Sequence, residues 1–370
     1  MIWNMFFQNM KEKQFLSKMK EKKAIKVRNG KSKGSLYVLL LVLCMIIGGC
    51  VRPKNAGSEK NSVSTTEDSE TLRIVTTIFP QYDFVRQIAG ENVSLQMLLK
   101  PGEETHSYEP TPQDIIAIQK ADLFIYVGGE NDNWVEDILE SPEMRQVNTL
   151  RLVDCVETLE EEHVEGMQEE RGGHDHEEEE EHSSHESEEH DHMMDEHVWT
   201  SPKNAARIVN EITAQLCSLD ESHAAEYEEN AKTYTEQLLE LDEQFRQVVN
   251  QVDSHTLLFG DRFPFRYFVD EYELQYYAAF PGCASDTEPS AATMAFLINK
   301  VREEQIPVIL KMELSNENIA YAIAEATDAE VKVFYSCHNL TAEEYEAGET
   351  YLSLMQKNVE TLKEALGVCR

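Results

Sequence analysis

Histidine and acidic side chains are concentrated in one segment of this 370-residue chain. Residues 157–196 contain nineteen Asp and Glu residues, and eight of the twelve histidines lie between His163 and His197. Imidazole nitrogens and carboxylate oxygens are ligands for borderline divalent ions such as Zn²⁺. Because the segment has no apolar period and its charges repel one another, we expect it to be disordered and to bind metal loosely. The histidines expected to collect metal there are His174, His176, His182, His185, His190 and His192.

Two further histidines lie beside predicted regular structure. His106 follows a predicted strand and the Pro101-Gly102 turn, and His197 lies where the apolar pattern resumes at Val198. Taken singly, His106 could be an exposed loop residue and His197 could belong to the acidic segment. A defined metal site needs ligands that regular structure holds in place, so both histidines are candidate ligands of such a site.

Strand and helix patterns alternate on both sides of the acidic segment. Predicted strands lie at 72–78, 93–99 and 123–127 before it, and at 256–259, 274–279, 307–310 and 331–335 after it. This alternation predicts βα units with mainly parallel sheets. Between the halves, apolar residues at spacings of four and three predict a helix at about 221–252, which would be ~45 Å long. We therefore expect an α/β fold of two lobes joined by a long rigid helix.

The N-terminal residues have the pattern of a secretion signal. Residues 1–34 carry ten Lys and Arg, and residues 36–47 are uncharged, too short a run for a comfortable membrane span. Ile47-Gly-Gly-Cys50 resembles the lipobox of bacterial lipoproteins, which implies cleavage before Cys50 and a lipid on it. We expect the folded part to be anchored by this lipid, through a flexible tether, to the outer face of the bacterial cell membrane.

Several function classes are disfavoured. The net charge of −36 repels phosphate backbones, so no nucleic-acid partner is expected. The chain lacks a Walker loop and a Gly-x-Gly-x-x-Gly motif, and His185 and His190 are five residues apart where a zinc-peptidase helix needs four. We therefore do not expect an enzyme. Cys283 and Cys337 both follow predicted strands, and we pair them as a possible disulfide.

Five pieces of the sequence occur together in a characteristic order: Pro101-Gly…Thr-His106-Ser-Tyr-Glu-Pro-Thr-Pro112, the acidic insertion, His197-Val-Trp-Thr-Ser-Pro202, Tyr227…Asn230…Tyr234 and Phe265-Arg-Tyr-Phe268…Tyr272. On these pieces, from about residue 72 to residue 366, the chain resembles the extracytoplasmic metal-binding proteins of ABC importers, in the zinc/manganese class with a rigid linking helix. The resemblance implies two lobes closing over one ion in the cleft between them, with His106 and His197 supplied by the N-terminal lobe. Members of that class with a His-rich insertion import zinc, so the resemblance also favours Zn²⁺ over Mn²⁺. The implied partners are an ABC permease and its ATPase, and we expect a monomer.

The C-terminal lobe departs from the pattern of that class. Where the class has a His or Glu ligand, this chain has Arg262, which stays protonated and cannot bind a cation. Three residues could replace it: His338 after the last strand, Asp261 beside the arginine, and Glu313 after the preceding strand. We rank His338 above Asp261, and Asp261 above Glu313.

These expectations divide the chain into five parts: a signal peptide at 1–49, the lipidated cysteine and tether at 50–70, an N-terminal lobe at 71–200 that includes the acidic segment, a helical linker at 201–253 and a C-terminal lobe at 254–370. The predicted function is that of a zinc-binding lipoprotein of an ABC importer. The alternatives are a manganese receptor of the same class, and a surface adhesin or metal-storage lipoprotein.

Overall fold

The computed structural model describes residues 71–104, 108–167, 193–282 and 288–368. The predicted signal peptide, Cys50 and its tether, His106, the six loop histidines and Cys283 lie outside these residues. Among the helices of the described part, none has the length and apolarity needed to cross a membrane.

Two four-stranded sheets, both entirely parallel, form the frame of the described chain. Their strand orders are β2-β1-β3-β4 and β6-β5-β7-β8, so the second sheet repeats the order of the first. This arrangement confirms the predicted α/β fold with two lobes. The strands are β1 Leu72–Thr76, β2 Val93–Met97, β3 Leu123–Tyr126 and β4 Asn148–Arg151 in the N-terminal lobe, and β5 Thr256–Phe263, β6 Gln275–Pro281, β7 Val308–Lys311 and β8 Glu330–Val333 in the C-terminal lobe.

Helices connect the strands, and several begin at side-chain caps that the sequence provides. Ser201 caps the helix that starts at Pro202, because its Oγ accepts a hydrogen bond from the backbone N–H of Asn204. The α-helices of the described residues are α1 Phe79–Ala89, α2 Pro112–Gln119, α3 Asn133–Leu139, α4 Pro202–Leu219, α5 Ala224–Val249, α6 Arg266–Glu271, α7 Ala291–Glu304, α8 Asn318–Ala326, α9 Ala342–Ala347 and α10 Tyr351–Ala365.

Helix α5 is the predicted linking helix, and it begins and ends three residues inside the predicted limits. It packs against α1, α4 and the C-terminal helix α10. The predicted apolar stripe is buried except at its last member, Val252, which lies beyond the helix and is half-buried. The main hydrophobic core runs without a break from the first lobe along this stripe into the second. The buried residues of the stripe are Tyr227, Ala231, Tyr234, Leu238, Leu241, Phe245 and Val248. A shared core of this kind resists wide separation of the lobes.

The prediction that residues 157–196 are disordered is wrong at both ends of that segment. Residues 157–167 and 193–196 are ordered, and Glu160 pairs with Met194 in an antiparallel bridge. Leu159, Val164 and Met194 pack against the main core, so apolar side chains scattered among the acids supply the burial that orders these residues.

The structure describes only one cysteine of the predicted disulfide, so the pairing stays a prediction. Cys337 is a free thiol, fully buried in the main core. Burial raises the pKa of this thiol well above its usual value, so it behaves as a small apolar side chain. Its expected partner, Cys283, lies outside the described residues.

Candidate metal centre

His197 is held in one orientation by an acidic residue two positions earlier. Asp195 Oδ1 lies 2.9 Å from His197 Nδ1 and also accepts the His197 backbone N–H at 2.8 Å. A short 3₁₀ turn at Val198–Thr200 follows, in which Thr200 Oγ1 donates to the His197 carbonyl. The arrangement assigns the proton to Nδ1 and leaves Nε2 with its lone pair. This contact between a carboxylate and the second ring nitrogen is common for metal-binding histidines.

Two effects oppose each other in setting the protonation of His197. Burial alone would lower its pKa, but the charge and hydrogen bond of Asp195 outweigh that effect and raise the pKa above its usual value. Within the described residues, the buried Nε2 of His197 has no hydrogen-bond partner. A buried nitrogen without a partner costs free energy unless a ligand satisfies it, so this atom is a candidate metal-binding position.

His338 occupies the corresponding position in the C-terminal lobe, just beyond β8. Its Nδ1 lies 2.9 Å from Ser336 Oγ, and that hydroxyl donates to Glu313 Oε1 at 2.9 Å. Cys337 lies between them with φ of +61°, a left-handed conformation that is uncommon outside glycine. The tight turn brings Ser336 and His338 together, and its hydrogen bonds direct Nε2 of His338 away from Ser336.

The two histidines converge with one carboxylate. A side-chain oxygen of Glu196 and one ring nitrogen each of His197 and His338 lie within 4.8 Å of one another, and all three residues are buried. The imidazole rings meet edge to face, 4.7 Å apart at their centres, and Trp199 packs against both. Two imidazoles and a carboxylate in a buried pocket form a donor set suited to Zn²⁺.

A glycine packs directly on the His197 ring. A Cβ at Gly282 would lie 3.0 Å from His197 Cε1 and 2.9 Å from the Phe263 carbonyl oxygen. Any larger residue would therefore displace the ring or the end of the strand, so the packing around His197 requires glycine at position 282.

Glu196 is the member of this cluster that sequence reasoning missed. It is nearly fully buried, and Asn131 binds its carboxylate through both the backbone N–H, at 3.2 Å, and the side-chain amide. From composition, Glu196 was predicted to be solvated, as the last of nineteen acidic residues in the segment 157–196. The signal that could have identified it is its position: Asp195 and Glu196 directly precede His197, at the point where the apolar pattern resumes.

The other two predicted carboxylates lie outside the cluster and have different contacts. Asp261 Oδ1 accepts the Arg262 N–H at 2.8 Å, and Oδ2 accepts the Met312 N–H at 2.9 Å, so this residue joins the ends of β5 and β7. Glu313 accepts the Ser336 N–H at 2.8 Å besides its hydroxyl. Burial raises the pKa of Asp261, and it raises that of Glu313 to about 7. Glu313 thus supports the turn that carries His338.

Arg262, which stands where a ligand was expected, forms an ion pair across the lobes instead. Its side chain is 9% exposed and its guanidinium contacts Glu104 of the N-terminal lobe. Both residues line a pocket next to His338. Glu104 lies two residues before His106, which is outside the described residues.

Comparisons with known proteins show which family the chain resembles. The family model "Zinc-uptake complex component A periplasmic" (ZnuA) matches residues 74–365. The high-affinity zinc uptake system protein ZnuA of Bacillus subtilis is 33% identical over 313 residues, which are 84% of this chain and 92% of that protein. The zinc-binding lipoprotein AdcA of Streptococcus pneumoniae is 30% identical over 330 residues, but the match spans only 60% of AdcA.

A solved structure shows the same fold. The crystal structure of the Zn(II)-bound ZnuA-like domain of Streptococcus pneumoniae AdcA superposes with a TM-score of 0.64 at 28% identity, covering 80% of this chain and 99% of that domain. On these matches, the chain belongs to the ZnuA family of zinc-uptake components, a family of metal-binding transport receptors and not of enzymes, as the sequence predicted.

Proposed function

We propose that this protein captures Zn²⁺ outside the cell membrane and delivers it to an ABC permease. The observation that carries the proposal is the buried convergence of Glu196, His197 and His338. Both rings have Nδ1 engaged by a neighbouring side chain, so each is set to bind a metal through Nε2.

The donor set suits capture rather than chemistry. Structural zinc sites have four ligands in a tetrahedral arrangement, whereas catalytic zinc keeps one position for water. Glu196, His197 and His338 supply three donors, and we propose His106 as the fourth, because the resemblance assigns it to the same cleft. A filled set leaves no position at which a water molecule could be activated.

The same donors favour Zn²⁺ over Mn²⁺. Imidazole nitrogen suits zinc, while manganese is better served by sites rich in carboxylate, carbonyl and water oxygens. A site with up to three imidazoles and one carboxylate therefore supports the choice of zinc as cargo. The relatives named as zinc-binding or zinc-uptake proteins point in the same direction.

The proposed location and partners are supported by the N-terminal sequence and by the family. A lipid on Cys50 would hold the protein at the outer face of the membrane, next to a permease whose ATPase works on the cytoplasmic side. The name "zinc-binding lipoprotein" of the streptococcal relative supports this placement. Because the main core continues through both lobes, release would involve a small tilt of the lobes and not a wide opening.

A zinc titration tests the proposal. We expect the mature protein to bind one Zn²⁺ tightly and further ions weakly, measured by competition with a chelator of known affinity. The matched control replaces the six loop histidines with serine and leaves the cluster intact. If the tight site survives in that control, the protein is a transport receptor; if all binding disappears, it is a storage protein and the proposal fails.

A further inference from the structure

The two chain segments that flank residues 168–192 form an ordered structure, which we call the neck (residues 159–162 and 193–195). The Glu161 N–H donates to the Met193 carbonyl at 2.8 Å, and the Asp195 N–H donates to the Leu159 carbonyl at 2.9 Å. The neck therefore ends at Asp195, the residue that holds Nδ1 of His197.

The neck lies on the C-terminal lobe, although it continues the chain of the N-terminal lobe. The hydroxyl of Tyr267, on α6, accepts the Leu159 N–H at 3.1 Å and donates to the Asp195 carbonyl at 2.7 Å. One hydroxyl thus bonds to both strands of the neck. Nearby, Tyr276 donates to the Glu162 carbonyl at 3.4 Å, and Arg266 lies 3.6 Å from the Glu162 carboxylate.

We propose that Tyr267 is a positioning residue for the zinc ligand His197, acting through Asp195. Its hydroxyl fixes the backbone of Asp195, the Asp195 carboxylate fixes the imidazole of His197, and the ring then presents Nε2 to the metal. Tyr267 is itself buried, at 3% exposure, and packs in the main core, so it is a rigid support. The inference rests on the proposed function, since it concerns the same metal site.

The arrangement couples metal binding to the contact between the lobes. Tyr267 belongs to the C-terminal lobe, whereas Asp195 and His197 belong to the chain of the N-terminal lobe. When the lobes are in contact, the hydroxyl holds the ligand in place. A tilt that separates α6 from the neck removes both hydrogen bonds of Tyr267 and frees His197 to turn, which favours release of the ion.

Tyr267→Phe removes this hydroxyl and keeps the ring. We expect Zn²⁺ release into excess chelator, followed by stopped-flow, to become about 3- to 10-fold faster, the effect of one or two ordinary hydrogen bonds. The visible spectrum of the Co²⁺-loaded protein should also change, because it reports ligand geometry. The matched control is Tyr277→Phe, which removes a hydroxyl bonded to Glu304 on the same lobe and should alter neither reading.

Tyr276→Phe separates positioning from general loosening, because its hydroxyl bonds to the neck at Glu162 and not to Asp195. We expect its release rate to stay within about twofold of wild type. If Tyr267→Phe and Tyr277→Phe behave alike, or if Tyr276→Phe accelerates release as much as Tyr267→Phe, the inference is overturned. The thermal midpoint of each variant shows whether folding is affected, and the Tyr276 comparison still decides if Tyr267→Phe is less stable.

These outcomes are distinct from failure of the proposed function itself. That failure would be the absence of a single tight zinc site in the wild-type protein, which is measured before any tyrosine is changed.

Discussion

The two sides of the candidate metal site orient their histidine rings with different groups. In both, the side chain two residues before the histidine binds Nδ1: Asp195 for His197 and Ser336 for His338. On the N-terminal side, a carboxylate touches the ring directly. On the C-terminal side, a hydroxyl touches the ring and the carboxylate of Glu313 lies one hydrogen bond further away.

The difference predicts unequal roles. A charge in direct contact makes the ring a better donor and fixes it more firmly than a neutral hydroxyl does. The N-terminal ligand also depends on a neck that lies on the other lobe, whereas His338 follows directly from the sheet after β8. We therefore expect His197 to control affinity and lobe coupling, with His338 completing the site from a more rigid base.

The largest effect is expected from removing either ring. His197→Ala and His338→Ala should each weaken tight zinc binding by more than about 100-fold, beyond what the loss of an outer contact costs, measured by chelator competition. His255→Ala, which removes an imidazole that contacts the Val252 carbonyl and lies outside the cluster, is the matched control and should bind normally. A His338→Ala protein with wild-type affinity would remove the C-terminal half of the comparison.

Lowering the pH should weaken zinc binding nearly as much as removing one of the rings. Zn²⁺ and a proton compete for Nε2 of His197, so affinity should fall as the pH drops through the pKa of that residue. Because Asp195 raises that pKa, the fall should begin above the usual value of about 6.5. Titrations at pH 7.5 and pH 5.5 measure this, and equal affinities at the two values would rule out imidazole ligation.

The groups behind the rings test the asymmetry itself. Asp195→Asn should weaken zinc binding by about 10- to 100-fold, the usual range for groups that orient a metal ligand. Ser336→Ala should cost only a few-fold, since it removes a neutral hydrogen bond. Both are measured by the same competition assay. A greater loss for Ser336→Ala than for Asp195→Asn would reverse the comparison.

The smallest effect is expected at the ion pair between the lobes. Arg262→Gln or Glu104→Gln should change zinc affinity by no more than about tenfold, because Glu104 is partly exposed and solvent weakens the pair. Exchanging the two charges in one protein, Glu104→Arg with Arg262→Glu, should recover part of the loss. If the exchange binds no better than the single variants, the pair does not contribute to closure.

The two parallel sheets and the linking helix could be predicted from the sequence alone. The alternating strand and helix patterns and the stripe from Tyr227 to Val248 have simple periods, and burial on one face follows directly from them. His338 could be named as a candidate because it follows a recognisable strand, and the structure places it beside His197.

The rest depended on contacts that have no local pattern. Glu196 is held by Asn131, 65 residues away, and the neck is hydrogen-bonded to Tyr267, more than 70 residues away. Because residues 157–196 contain nineteen acids, their composition predicted a solvated segment. A few apolar residues, such as Leu159 and Met194, pack against the core and order the two ends of that segment instead. The Cys283–Cys337 bridge stays a prediction, because it rests on sequence position alone and Cys283 lies outside the described residues.

An anomalous-difference map of zinc-loaded crystals tests the central claim most directly. We predict one strong peak between the lobes, about 2.0–2.1 Å from Nε2 of both His197 and His338. A side-chain oxygen of Glu196 should be a third ligand of the same ion. A strong peak bound by neither imidazole, or separate peaks at His197 and at His338, would contradict it.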